Sequence, residues 1–283
     1  MSEGLVWESF TQHALDVAYN NMAAVRDSDV RLADWAARSA ALRARLPGEC
    51  DLPYGPRERN CVDIFRSGQP EAPLMVFIHG GWWQRNSRRV FSCMAEGPLA
   101  CGMDVALVGY TLAPEASLTV IATEIVAALD WLAAREPVGS CVLSGWSAGG
   151  HLTALAMDHP FVAAGLSISG VFDLEPIRHS YINEKLGLDS EEARRLSPAL
   201  SPPVPKPLTL AYGANELSEL QRQSRDHASR LRLAAPPSAA PLASLMKLPE
   251  HDHFSILEEL AQADGALCAE VLALGRRASA NLE

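Results

Sequence analysis

Uninterrupted apolar blocks alternate along this chain with stretches whose apolar positions recur every three to four residues. PLMVFIHG (73–80) reads as a strand buried on both faces, and MDVALVGY (103–110), CVLSGWS (141–147), AAGLSISG (163–170), PLTLAYG (207–213) and PLASLMKL (241–248) read as further strands. CVDIF (61–65) adds a shorter one. Between them lie helical patterns: residues 90–101, then Ser117 to Arg135 with Ile121, Ile125, Ala128, Leu129 and Leu132 on one face, then AGGHLTALAMDH directly after CVLSGWS. ELSELQRQSRDHASRLRL and HFSILEELAQADGALCAEVLALGRRASA supply the last helices. Strand and helix in this alternation predict a mostly parallel sheet of about eight strands with helices on both faces, as one α/β domain spanning residues 1–283.

Two segments stand outside the alternation. Residues 1–50 read as mostly helical, and DVRLADWAARSAALRARL puts Leu32, Trp35, Ala36, Leu42 and Leu46 near one face, with the small Ser39 between them. That face packs a helix on the body or covers a cleft. The turn-rich LPYGPRERN follows. Residues 172–206, ending in SPALSPPVPKP, interrupt the later strands and are expected to form a small helical cap.

Composition narrows the function. A formal net charge of −10 and the lack of a basic stripe exclude a nucleic-acid surface; Arg85, Arg88-Arg89 and Arg194-Arg195 read as solvated surface. No run approaches the roughly 18 apolar residues of a membrane span. The acidic start, MSEGLVWESFTQHALD, lacks the apolar core of a signal peptide. Six cysteines include no CxxC pair and no cluster at zinc spacing, which predicts a reducing, cytoplasmic setting and no metal.

Gly145-Trp146-Ser147-Ala148-Gly149 fits G-x-S-x-G at the carboxyl end of a strand, where ligands bind in parallel sheets. A serine hydroxyl becomes a nucleophile only when a histidine takes its proton and an acid orients that histidine. Of eight histidines, His13, His159, His179 and His227 read as surface residues on helices or connections. His151 points along its own helix, and His79 shapes the turn before Gly80-Gly81. LPEHDHFSIL, after the last strand, leaves His251 and His253, with His253 favoured because it abuts FSIL. AYGANELSEL offers Glu216 in the loop and Glu219 already in the next helix; Glu216 is favoured by its place nearer the strand end. Asp226 is a helix away, and Asp252 is too close to His253 to orient it. Backbone amides of Gly81 and Trp82, in FIHGGWWQRN, and of Ala148 are the expected oxyanion donors. Trp83, Tyr110, Phe172, Tyr181 and Asn183 are candidates for the substrate pocket, each also readable as structural.

With HGGWW, GYTLAPE, GWSAGGH and HDHF, the chain resembles the α/β-hydrolase superfamily, and within it the hormone-sensitive-lipase-like branch that holds arylformamidases. YNNMAAV, SGVFDLEPI, NEKLGLDSEEARRLSP and ANELSELQRQSRDHA are similar to segments of bacterial kynurenine-formamidase-like hydrolases, so the resemblance runs from about residue 18 to 265. It implies Ser147 as nucleophile, His253 as base and Gly81, Trp82 and Ala148 as oxyanion donors, with no cofactor. The acid in that family is usually aspartate; Glu216 stands there in this chain. Arylformamidases hydrolyse N-formyl-L-kynurenine, while their relatives include carboxylesterases, carbamate hydrolases and deacylases. A small-molecule substrate is therefore expected, with a homodimer a family-level expectation, and a hydrolase fold kept for binding without turnover is the rival class.

Overall fold

The computed structural model describes residues 4–46, 48–136, 141–234 and 243–280. A small antiparallel hairpin, β1 (Leu5–Trp7) with β2 (Phe10–Thr11), precedes three helices, α1 (Gln12–Ala18), α2 (Asn21–Ala24) and α3 (Ser28–Arg45). Two strands follow, β3 (Glu49–Pro53) and β4 (Cys61–Phe65). β5 (Leu74–Ile78) then runs through a 3-10 segment, Arg88–Ala95, and α4 (Glu96–Ala100) to β6 (Asp104–Val108). α5 (Leu118–Arg135) leads to β7 (Cys141–Trp146), and α6 (Ala148–Leu155) leads to β8 (Val162–Ile168). α7 (Glu175–His179), α8 (Asn183–Leu186) and α9 (Ser190–Arg195) separate β8 from β9 (Leu208–Gly213). α10 (Ser218–Ala234), β10 (Ala243–Leu248), α11 (Glu258–Ala261) and α12 (Ala266–Ala280) complete the order.

The main sheet has eight strands in the order β10-β9-β8-β7-β5-β6-β4-β3. Strands β5 to β10 are parallel to their neighbours among themselves, and β4 and β3 join antiparallel at one edge. Side chains alternate across a strand, so an unbroken apolar run feeds two cores at once. In β5, Leu74, Val76 and Ile78 enter one cluster with Ile121, Ile125 and Leu129 of α5. Met75 and Phe77 enter the other, with Trp35 of α3 and Leu267, Val271 and Leu274 of α12. This is the layered architecture that the alternation predicts.

Departures from the sequence reading have local causes. Helix does not begin before Gln12: the hairpin occupies residues 5–11, and Thr11 caps α1 by accepting from the Ala14 amide at 3.4 Å. β3 was hidden because an edge strand is half exposed and carries Pro53 and a left-handed Asp51 (φ 58°) in place of an apolar run. On α3 the buried seam is Trp35, Ser39 and Leu42, while Ala36 is exposed. Residues 90–101 form two short pieces, with Pro98 inside the second. Arg88 is buried, not solvated, because it pairs with Asp51 and with Asp63 (Nε–Oδ1 3.2 Å) beneath the edge strands. His159 and His227 are also buried: His159 faces Asp130 at 3.1 Å, and His227 stacks on Phe172 with centroids 4.5 Å apart. Among the described residues, no helix is long and apolar enough to cross a membrane.

Candidate active site

Ser147 sits between β7 and α6 in the left-handed region (φ 57°, ψ −117°), a conformation strained for a residue with a side chain. Hydrogen bonds on both sides hold it there: Ser147 N donates to Ile168 O at 2.8 Å, and His151 N donates to Ser147 O at 3.0 Å. The two glycines of the motif are explained by close approach. A Cβ on Gly149 would meet Ile78 O at 2.0 Å, and one on Gly145 would meet Gly149 O at 2.3 Å. Strand and helix can therefore meet at a sharp turn that lifts the serine above the sheet edge.

His253 lies in the turn after β10, where Asp252 Oδ1 accepts from the amides of Phe254 (2.8 Å) and Ser255 (2.7 Å). Asp252 thus builds the turn that presents the histidine. Trp146 Nε1 donates to His253 O at 2.8 Å, and the two rings lie 4.9 Å apart. His253 Nε2 stands 3.1 Å from Ser147 Oγ, and Nδ1 stands 3.0 Å from Glu216 Oε2. Glu216 follows β9, and its other oxygen accepts from Ser169 Oγ (2.7 Å) and Gly213 N (2.6 Å). All three side chains are buried. A carboxylate held by two donors on one oxygen is left with the other aimed at the imidazole, which fixes the ring and favours Nδ1–H, leaving Nε2 as acceptor.

The competing groups have other partners. Glu219 accepts from Arg222 (Nη2–Oε2 2.8 Å) and from Tyr19 Oη (3.3 Å), tying α1 to α10. His251 faces Glu259 at 3.1 Å. His79 lies between Tyr110 (4.3 Å) and Phe91 (5.9 Å), its Nδ1 2.9 Å from Gly80 O, and burial pushes its imidazole down to about 4. His151 is likewise pushed down to about 4 by burial, with Nε2 2.8 Å from Leu196 O. Both rings are neutral supports for the loops around Ser147.

The glycine loop after β5 runs through three successive left-handed residues, Gly81 (φ 119°), Trp82 (φ 52°) and Trp83 (φ 58°). Among the described residues no backbone carbonyl accepts from the amides of Gly81 or Trp82. Ala148, the first residue of α6, has no acceptor within its helix. Asn86 Nδ2 braces the loop by donating to Gly80 O at 3.3 Å.

Around Ser147 and His253 a cleft is walled by Gly81, Trp82, Trp146 and Phe254, with Arg85 and Asn86 on one side. Its remaining wall is Asn21, Met22 and Leu32, from α2 and α3. The N-terminal segment therefore covers the cleft as well as packing on the body. A groove of about 630 Å³, bounded by Met157, Pro203, Lys206 and Leu231, lies apart from Ser147 and His253.

Ser147, Glu216, His253, Gly81, Trp82 and Ala148 thus come together at one end of the sheet. The five pocket candidates do not join them along that cleft. Trp83 is fully buried against His151 (centroids 5.0 Å), and Tyr110 Oη donates to His79 O at 2.9 Å. Phe172 stacks on His227, the Tyr181 amide donates to Asp16 Oδ1 at 2.8 Å, and Asn183 ties the α8 turn through Leu188 N at 2.7 Å. Each is large or polar for a packing reason that linear sequence hides. Sequence reasoning assigned no role to Ser169, which follows β8 in SISG, or to Asn21 in YNNMAAV.

A family model for the alpha/beta hydrolase fold matches residues 75–249. The chain belongs to the α/β-hydrolase fold family. This hydrolase is similar to the kynurenine formamidase of Danio rerio, 29% identical over 279 residues that cover 90% of this chain and 93% of that protein. Among solved structures, a candidate thioesterase from Silicibacter sp. superposes with a TM-score of 0.83 at 30% identity, over 91% of this chain and 98% of that one. An esterase of the bacterial hormone-sensitive lipase family shares the fold, with a TM-score of 0.63 and 23% identity over 78% of this hydrolase and 81% of that esterase.

Proposed function

We infer that this α/β hydrolase removes the formyl group from an aryl-formamide through a formyl-enzyme on Ser147. The observation that carries the reading is the His253 ring, bridging Ser147 Oγ (3.1 Å) and Glu216 Oε2 (3.0 Å) in the cleft walled by Trp82, Trp146 and Phe254. Similarity to a kynurenine formamidase over 90% of the chain supports the same substrate class.

In the reaction, Ser147 Oγ bonds to the formyl carbon as its proton passes to His253 Nε2. Glu216 stabilises the resulting imidazolium. The carbonyl oxygen becomes an oxyanion facing the amides of Trp82 and Ala148, with Gly81 beside them. Collapse breaks the C–N bond, and His253 returns the proton to the leaving arylamine. Water then gives a proton to His253 Nε2 and attacks the formyl ester. Formate leaves and Ser147 recovers its hydrogen.

A carboxylesterase or thioesterase reading draws on the Silicibacter neighbour, and acyl size separates the two. Purified protein is assayed on N-formyl-L-kynurenine and on p-nitrophenyl formate, acetate and butyrate. The formamidase reading expects formamide turnover and ester rates that fall steeply with each added carbon. Negligible formamide hydrolysis beside fast butyrate hydrolysis would replace it with the esterase reading. A fluorophosphonate that labels wild type but not Ser147→Ala identifies the nucleophile, and equal labelling of both would remove Ser147 from that role.

A further inference from the structure

Asn21 is 4% exposed, and neither its Oδ1 nor its Nδ2 has a hydrogen-bond partner among the described residues. Burying an unpaired amide forfeits the hydrogen bonds it makes with water. Here the cost falls on a side chain that lines the same cleft as Ser147 and His253. Its backbone is pinned: Asn21 N donates to Tyr19 O (3.1 Å), and Val25 N donates to Asn21 O (3.3 Å). The preceding Tyr19 is locked by Glu219 and Gln223, whose Nε2 donates to Tyr19 Oη at 3.0 Å, and it packs edge-on against Trp82 at 6.1 Å. An amide held this firmly in the cleft wall, with neither end paired, is built for a ligand. Beside it, the exposed Arg85 makes no ion pair among the described residues, so the mouth of the cleft carries an uncompensated positive charge.

We propose that Asn21, with Arg85, is the specificity determinant for a zwitterionic α-amino-acid head carried on the leaving group. A carboxamide matches that head group for group: Nδ2–H donates to the carboxylate while Oδ1 accepts from the ammonium. Arg85 adds attraction for the carboxylate. The apolar walls, Trp82, Trp146, Met22 and Phe254, then border the ring between the head and the scissile bond. Asn21 touches neither the formyl carbon nor the triad, so its contribution lies in binding.

The inference deepens the formamidase reading, and its test separates the two. kcat and KM are measured for N-formyl-L-kynurenine and for 2-formamidoacetophenone, the same aryl-formamide without the amino-acid head, in wild type, Asn21→Leu and Arg85→Gln. In Asn21→Leu the ratio of kcat/KM values, headed over headless, is expected to fall about ten- to hundredfold, mostly through KM. Arg85→Gln, at an exposed position that folding does not depend on, is expected to lower the ratio severalfold, with the loss shrinking at high salt. An unchanged ratio in both variants overturns the proposal, as does a loss shared equally by the two substrates. If wild type cleaves neither formamide, the formamidase reading falls alone. The same ratio is then read from O-acetyl-L-tyrosine and p-cresyl acetate, and its response to Asn21→Leu decides the proposal.

Discussion

Glu216→Gln is the substitution that most directly tests the arrangement around His253. The shape is kept and one oxygen becomes an NH2 group. The wild-type carboxylate accepts three hydrogen bonds: Ser169 Oγ at 2.7 Å, Gly213 N at 2.6 Å, and His253 Nδ1 at 3.0 Å. Gly213 N cannot reverse its role, so the glutamine must keep its carbonyl oxygen on that side. Its NH2 then faces Nδ1 and donates to it. The imidazole is driven to the tautomer with its proton on Nε2, where it can no longer accept the proton of Ser147. In the serine proteases the equivalent carboxylate-to-amide change lowers kcat about 10⁴-fold, a barrier increase of about 5.5 kcal/mol. A loss of about 10³- to 10⁴-fold in kcat is expected here, with KM and melting temperature changed little. Stopped initial rates on p-nitrophenyl acetate cover that range. The control is Glu219→Gln, where the loss of the Arg222 and Tyr19 contacts should lower stability by about 1–2 kcal/mol and leave kcat within a few-fold. Glu216→Gln with more than a tenth of wild-type kcat, or Glu219→Gln as the crippled variant, would refute the reasoning.

Other expectations follow from the same contacts. Gly149→Ala puts a Cβ 2.0 Å from Ile78 O, so the elbow must shift; folded variant protein should react with a fluorophosphonate at least about 10²-fold more slowly, and wild-type labelling would contradict the packing account. Burial holds His79 and His151 near 4 and His227 near 3, all below the usual histidine value, so between about pH 6.5 and 4 the unfolded chain binds more protons than the folded one. Stability should therefore fall as pH drops below about 6.5, each histidine adding up to about 1.4 kcal/mol per pH unit. His227→Phe keeps the stack on Phe172 and should flatten the urea-derived slope by one histidine's share; an unchanged slope would remove His227 from the account.

The parts of the site that sequence makes legible share one property: each is set by backbone position along its own strand. Ser147 ends β7, Glu216 follows β9, His253 follows β10, and the glycine loop follows β5, so strand ends read from apolar runs already place them at one edge of the sheet. The doubly buried strands were legible for the same reason, because neighbours on both faces demand unbroken apolar runs. What stayed hidden depends on contacts between segments far apart in the chain. Arg88 looks like a surface charge until Asp51 and Asp63 are folded beneath it. Ser169 looks like strand punctuation until Glu216 arrives from the next strand to accept its hydroxyl proton. Trp83, Tyr110 and Phe172 are the large aromatics a pocket would use, yet they pack against His151, His79 and His227, and the neutral imidazoles in turn fill space behind the loops. The part of the cleft wall beyond Trp82, Trp146 and Phe254 comes from Asn21, Met22 and Leu32, in a segment more than a hundred residues before the serine. The strand ends thus bring Ser147, Glu216 and His253 together, in a geometry the local sequence dictates, while the N-terminal segment that walls the cleft is docked through Tyr19, Glu219 and Gln223.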